Sequence, residues 1–549
     1  MTNLVEFVNN NLAAGSSGRL GSSAIFQDVE DLIQSVENFA LNKELSQEAI
    51  RTRAQISRYG REFANRLGKI VTDPRLLDGM HERLSLLESQ EGSRTVVLMS
   101  AHQPNLFAYS GVMKKIALLS YLSSQLVGRQ QNSSHGLEEV VCFFGFADQD
   151  FAHNKWVRSA EIDSPLRKEG VVRLNVRVDK KDGYLPTNRI ATPPKSTLDE
   201  WRDLLKNWIS ENSSIARNYV RAKGLPITKD IQGVAGQNLD EFWDLVERVQ
   251  EQSRNLAEFN SFLLASVCVQ FWGMPLVFAN FSDCFRLFGS QYKSFIEHHQ
   301  VIRAIIEAKE GELREAKVDS GLSEDYSEVS PLWMKCDCGS KIKFDMSAER
   351  AFGKCLRCSK EIELTTRELA DAAYNSPNSF EPRSIFMPIA FSEGFGMSCY
   401  VGGIGGLGYL LHSRTIAEHF GIKFPPTPFW YSKDEYTSIQ ALAAEQEIMR
   451  IKQNYHLSDN VQKEKETQAN LIFRQLKELA ENNKIPRSST RERDLQFLER
   501  VSSTKRRENS CMIDYAVNIS IRSCFGQWVS FLESDGNLNK PVKMKSAFE

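Results

Sequence analysis

The sequence predicts an α/β protein with a parallel-sheet core, a small cysteine-rich insertion and a helical C-terminal region. Three observations carry this. A strand–loop–helix–strand succession runs from Thr95 to Phe146. Two cysteine pairs lie between Cys336 and Cys358. Five glycines crowd the stretch Gly402 to Gly408. The chain has 549 residues, enough for more than one domain.

Residues 1–24 are polar and Gly/Ser/Asn-rich, and are expected to be loose. Phe26, Val29, Leu32, Ile33, Val36 and Phe39 then recur at helical spacing, with a second run from Ile56 to Leu87. Residues 1–92 therefore form a predicted N-terminal helical segment. Thr95-Val-Val-Leu-Met-Ser100 is a β-rich apolar run, so a buried strand is expected there. The loop Ala101-His-Gln-Pro-Asn-Leu-Phe107 follows, then a helix over Val112–Leu126 and a second strand, Val140–Phe146. This is a βαβ unit. Pro275–Ala279 reads as a third buried strand, and residues 292–318 as helical. Residues 384–392 and 397–402 read as further strands around the glycine run, and Phe424–Trp430 as a rigid extended piece. After Lys433 the text is long, charged and helical. It suits a helical hairpin or short coiled coil, or equally amphipathic helices packed on the core. The expected division is 1–92, 93–330 with a helical insertion, 331–366, 367–432 and 433–549.

Ligands of parallel sheets sit beyond the C-terminal strand ends. That edge would gather His102, Gln103, Asn105, Asp148, Asp150 and, from the third strand, Asp283. The alternative is structural: the aspartates cap a helix and His102 fills a turn. A glycine run leading into a helix lets backbone approach a ligand and directs free N–H groups at an anion, or it makes a tight turn in the core. Its candidate binding residues are Tyr400, Gly402, Gly403, Gly405 and Gly406. Lys114 and Lys115 read first as solvated helix charges, and second as phosphate-neutralising groups.

Cys336-Asp-Cys338 and Cys355-Leu-Arg-Cys358 are separated by 16 residues. Four thiolates from two turns suit tetrahedral Zn²⁺, and a closed four-sulfur shell makes the ion structural. Four reduced cysteines in a small lobe are the alternative. The other six cysteines mostly lie in apolar runs and read as core.

Basic and acidic residues nearly cancel, at 68 and 70, so charge gives no reason to expect nucleic acid. Basic pieces such as Lys505-Arg-Arg507 leave RNA association as the weakest reading. No apolar run approaches a membrane span, and Met1–Ser23 lacks the pattern of an export signal, so a cytoplasmic location is expected. There is no P-loop, G-x-S-x-G or H-E-x-x-H.

Val96-Val-Leu-Met-Ser-Ala-His-Gln-Pro-Asn-Leu-Phe107, Phe144-Gly-Phe-Ala-Asp-Gln-Asp-Phe151, Tyr400-Val-Gly-Gly403 and His419-Phe-Gly-Ile-Lys-Phe-Pro-Pro426 resemble the bacillithiol biosynthesis cysteine-adding enzyme family over roughly 95–430, with a helical tail. The resemblance implies a Rossmann-like core related in architecture to class I aminoacyl-tRNA synthetases and a homodimer through the C-terminal helices. It also implies an amide-forming ligase that joins cysteine to the amine of glucosaminyl malate. An amino acid and an amino-sugar conjugate are then the substrates. Adenylation by ATP is the natural activation. His102, Asp148 and Asp150 become the candidate catalytic groups. The chain departs from the family at several places, among them the Asn-His that tends to follow the second strand's acidic block, which is absent or shifted here. Ala147-Asp-Gln-Asp150 stands where the family has Glu-Asp-His-Asp. Gly402-Gly-Ile-Gly-Gly406 lacks the family's glutamate. Met387-Pro388 replaces an Arg-Pro. These changes leave room for an altered substrate, or for a binding protein without catalysis.

Overall fold

Thr95–His102 (β1) and Glu139–Phe146 (β2) are buried along nearly their whole length. Apolar strands of this kind need parallel neighbours and helices over their faces. In the computed structural model β1 pairs in parallel with β2, from Thr95 opposite Glu139 to His102 opposite Phe146. The structure describes residues 28–89, 95–130, 139–227, 229–322, 330–430, 433–457, 468–482, 484–503 and 510–549. The readings of residues 1–24, Phe26 and Lys505-Arg-Arg507 lie outside these.

Among the described residues, three N-terminal helices, α1 (Val29–Leu41), α2 (Gln47–Leu67) and α3 (Asp78–Glu88), precede the sheet. Their apolar faces belong to the same core as the strands. Buried Arg53 on α2 fixes this docking, donating to the carbonyls of Thr95, Phe395 and Gly396 at 2.9–3.0 Å. The crossover helix α4 (Ser110–Gln130) joins β1 to β2. An antiparallel hairpin, β3 (Ser159–Asp163) and β4 (Val171–Asn175), follows, then the helices α5 (Lys195–Lys223), α6 (Ile231–Gln252) and α7 (Leu256–Ser266). Val277–Asn280 (β5) returns to pair with β2. Helices α8 (Gly289–Glu297) and α9 (His299–Glu315) lead to the cysteine-rich part.

That part is an antiparallel sheet of β6 (Leu332–Lys335), β7 (Lys341–Met346), β8 (Arg350–Cys355) and β9 (Glu361–Thr365). After α10 (Thr366–Asn375), the strand β10 (Phe380–Pro382) adds to β6, so the sheet extends past residue 366. The expected strand at 384–392 is instead a helix, α11 (Phe386–Gly394). Ile385, Phe386, Ile389 and Ala390 are all buried, and they repeat at helical spacing. Pro388 falls in the first turn, where its missing N–H costs nothing. A short run that is apolar all round does not separate helix from strand by period alone.

Cys399–Val401 (β11) completes the main sheet beside β1. The spatial order is β11-β1-β2-β5, all parallel. Counted along the chain from the other edge, the strands run third, second, first, fourth. The extended piece after residue 423 lies along the outer edge of β11. Tyr400 N–H donates to Pro426 O at 3.0 Å and Gly402 N–H to Pro428 O at 2.9 Å. Prolines tolerate an edge position because they have no donor to waste.

Helix α12 (Leu407–His419) follows the glycines, and α13 (Ile439–Asn454) packs along α5. Helices α14 (Gln468–Glu481) and α15 (Ser489–Ser503) pair with each other and close a second, smaller apolar cluster with α13. The last helices, α16 (Met512–Asn518) and α17 (Ile521–Ser534), return to the main core. Among the described residues, no helix is long and apolar enough to cross a membrane.

Candidate ligand cavity and metal centre

In an open parallel sheet, two neighbouring strands whose connections leave in opposite directions open a crevice at their C-terminal ends. Here that pair is β1 and β11. A cavity of about 540 Å³ lies there, lined by Ala101 and His102 from β1 and by Tyr400 and Gly403 from β11.

His102 ends β1. Its Nδ1 lies 2.9 Å from Gln103 O and 2.8 Å from Asn105 Oδ1. A backbone carbonyl only accepts, so Nδ1 carries the proton and Nε2 keeps its lone pair. Burial, with the charge of Lys115 added, lowers the imidazole to about 4, so the ring is neutral at pH 7. The side chain keeps partial solvent contact through the cavity.

Lys114 and Lys115 are not solvated helix charges. Both are buried. Helix α4 is covered by the sheet on one side and by α17 on another, so neither lysine reaches bulk water. Lys114 pairs with Asp434 at 3.2 Å, which also accepts from the hydroxyl of Tyr515 and the indole of Trp528. That lysine ties α4 to the returning C-terminal helices. Lys115 faces the cavity, donates to Ala101 O at 3.1 Å, and is lowered to about 8 by burial.

The glycine run divides. Gly402 and Gly408 serve packing: a Cβ on Gly402 would meet Phe429 at 2.6 Å, and one on Gly408 the Ser320 carbonyl oxygen at 1.8 Å. Gly403, Gly405 and Gly406 line the cavity. Gly403 admits Lys115, whose Cε lies 2.9 Å from the Cβ position. Gly406 is the N-cap of α12 and offers no capping side chain.

The strand-end acids also divide. Asp150 lines the cavity, and burial raises its carboxyl against the opposing charge of Lys341 and a hydrogen bond from Gln103. Gln103 in turn accepts from Asn154 Nδ2 at 2.8 Å. Asp148 is buried away from the cavity. It accepts from Ser282 N at 2.9 Å, Ser282 Oγ at 2.5 Å and Asn188 Nδ2 at 2.8 Å, and joins β2, β5 and the loop at 188. Burial raises it to about 6. Asp283 lies outside the cavity and pairs with Arg286 at 3.3 Å. Asn105 does not line the cavity and acts through His102.

The four cysteines Cys336, Cys338, Cys355 and Cys358 bring their sulfurs within 4.8 Å of one another. Cys336 Sγ lies 3.7 Å from Cys358 Sγ, and Cys338 Sγ 3.5 Å from Cys355 Sγ. A tetrahedral Zn²⁺ with sulfur at about 2.3 Å requires sulfur–sulfur edges of about 3.8 Å, whereas a disulfide requires about 2.05 Å. The set fits a metal. Tight turns present each pair: Gly339 and Ser359 adopt left-handed backbone, at φ 86° and 59°. Burial opposes ionisation of Cys355, yet N–H groups of Cys358 and Arg357 aimed at its sulfur bring it down to about 7. The other six cysteines are buried.

Sequence reasoning did not single out Trp333, Lys341, Arg383 or Gln149, all of which line the cavity. The first three come from the cysteine-rich sheet, which is remote in sequence from β1. Gln149 is buried, and its Oε1 has no protein partner among the described residues. It occupies the position where the resembled family has histidine, and that substitution was its one visible signal. No family model and no curated protein matches the chain.

Proposed function

We propose that the chain is an amide-forming ligase resembling the cysteine-adding enzyme of bacillithiol biosynthesis, with an altered substrate, and that the cavity between β1 and β11 is its active site. The observation that carries this reading is His102. It is a neutral imidazole, fixed through Nδ1, with no hydrogen bond to Nε2 among the described residues, beside a cavity that also holds Lys115 and Asp150.

Joining a carboxylate to an amine needs an activated acyl group and an amine that has lost a proton. ATP would supply the activation: attack of the carboxylate on the α-phosphorus would expel pyrophosphate and give an acyl-adenylate, and attack of the amine on its acyl carbon would form the amide and release AMP. The order third-second-first is that of one mononucleotide-binding half, with the fourth strand across the switch point, which supports a Rossmann-like, class I synthetase-like reading. Lys115 would hold phosphate or carboxylate oxygens, at the N-terminal end of α12, whose dipole favours an anion. Asp150 would orient the ammonium group. His102 Nε2 would take the proton as the amine attacks, a role that needs the neutral ring. The cysteine set would hold a structural Zn²⁺.

A second reading, a binding protein without turnover, is favoured by Asp148, whose carboxylate is fully engaged in structure. It is also favoured by Gly406 and Met387, where the resembled family has Glu and Arg. Arg383, one helical turn before Met387, lines the same cavity and offers a replacement cation.

The test is incubation of purified protein with ATP, cysteine and glucosaminyl malate, then with other amines, read by mass spectrometry. The ligase reading expects an amide product and AMP. Ligand binding without AMP release supports the second reading, and absence of both product and binding overturns both.

A further inference from the structure

The cysteine-rich sheet is not an appendage. Lys341 opens β7, three residues after Cys338, and Trp333 lies on β6. Arg383 follows β10 of the same sheet. All three face the cavity. Lys341 is buried, with Nζ 2.7 Å from Glu381 and 4.8 Å from the Phe151 ring centroid. An ammonium has three donors, so Glu381 leaves others for a ligand. Arg383 stacks on Trp333 at 5.5 Å. The metal turns are clamped to the short turn at 182–184 that follows β4: Ser340 Oγ donates to Tyr184 O at 2.6 Å, and Arg357 pairs with Asp182 at 2.8 Å.

Among the charged residues lining the cavity, Lys115, Lys341 and Arg383 stand against a single carboxylate, Asp150. Two of these three cations ride on the cysteine-rich sheet. We propose that this sheet is the anion-holding wall of the cavity, that Lys341 and Arg383 bind a phosphate or carboxylate group of the ligand, and that metal at the four cysteines holds that wall in place. This rests on the cavity being the ligand site, and not on amide formation.

The test is calorimetric titration of metal-loaded full-length protein with pyrophosphate and, separately, succinate. At least one anion is expected to bind. Preference for pyrophosphate assigns the wall to phosphate, and preference for succinate assigns it to carboxylate. Binding is expected to weaken at least tenfold in Lys341→Met and to stay unchanged in Lys354→Met, on the exposed part of β8. Chelation should weaken it as much, and added Zn²⁺ should restore it. Hydrogen exchange covers loss of folding in any sample: on chelation, segments 332–344 and 151–185 should lose protection together while 231–252 keeps its own. Failure of both anions to bind overturns the proposal, as does unchanged binding in Lys341→Met or after chelation. Exchange confined to 332–365 overturns the metal's part in holding the wall. Whichever way these fall, the ligase reading stands or falls on product formation.

Discussion

Lys115 Nζ lies 3.2 Å from the point where a side chain would begin on Gly403, and no larger residue fits there without moving it. The obstacle is the far end of a flexible side chain. Gly403→Ala should therefore cost less than about 1 kcal/mol of stability while pushing the ammonium off Ala101 O. Anion binding should weaken several-fold with a nearly unchanged urea midpoint. An unchanged affinity would remove Lys115 from the binding role.

Gly408→Ala should behave in the opposite way. The new Cβ would sit 1.8 Å from the Ser320 carbonyl oxygen, which is backbone and cannot swing aside. Overpacking of this kind costs about 1–3 kcal/mol. Chemical denaturation should show that loss. A destabilisation no larger than that of Gly403→Ala would mean that α12 does not pack on the 320 segment as described.

These two glycines show what the sequence could carry. Crowded glycines reveal that something comes close, but not what. One neighbour is a backbone carbonyl and the other a lysine. The parallel strands were legible because continuous apolar runs ended in polar loops, and the metal set because its ligands are close in sequence. Lys341 and Arg383 were not legible. Their approach to His102 depends on how a distant antiparallel sheet docks across the strand ends, and no local pattern encodes that. Lys114 and Lys115 misled for a related reason: a lysine at the start of a helix is ordinarily wet, and only the tertiary cover over α4 makes these two buried.

The two aspartates should separate by readout. Asp148→Ala strips the acceptor from the half-buried donors Ser282 N–H and Asn188 Nδ2, and a donor left unsatisfied in the interior costs about 1–3 kcal/mol. A loss of roughly 2–5 kcal/mol is expected in urea unfolding. Asp150→Asn keeps its shape at the cavity and should leave the midpoint close to wild type while reducing ligand affinity or turnover. A stable Asp148→Ala protein would refute the structural assignment of that carboxylate.

Metal content should follow the cysteines. Elemental analysis is expected to give one zinc per chain, falling sharply in Cys338→Ser, since the remaining three sulfurs leave the shell open. Zinc-free protein as purified, with no uptake on addition, would leave the four cysteines as reduced thiols.

The pH dependence has a worked sign. His102 falls from 6.5 to about 4 on folding, so the unfolded chain binds its proton more tightly. Its contribution to stability is complete above pH 6.5 and is lost as pH falls from there through 4. Asp148 rises from 3.8 to about 6, so the folded chain binds that proton more tightly, and stability is lost as pH rises from 3.8 through 6. The two oppose each other between pH 4 and 6. His102→Gln should remove the first trend alone, so its urea midpoint should gain on wild type at pH 4.5 relative to pH 6.5. Any turnover that depends on neutral His102 should hold its rate down to about pH 5, where an ordinary histidine would already be protonated. A rate that halves near pH 6.5 and loses that inflection in His102→Gln would show that the ring titrates normally and is exposed to water.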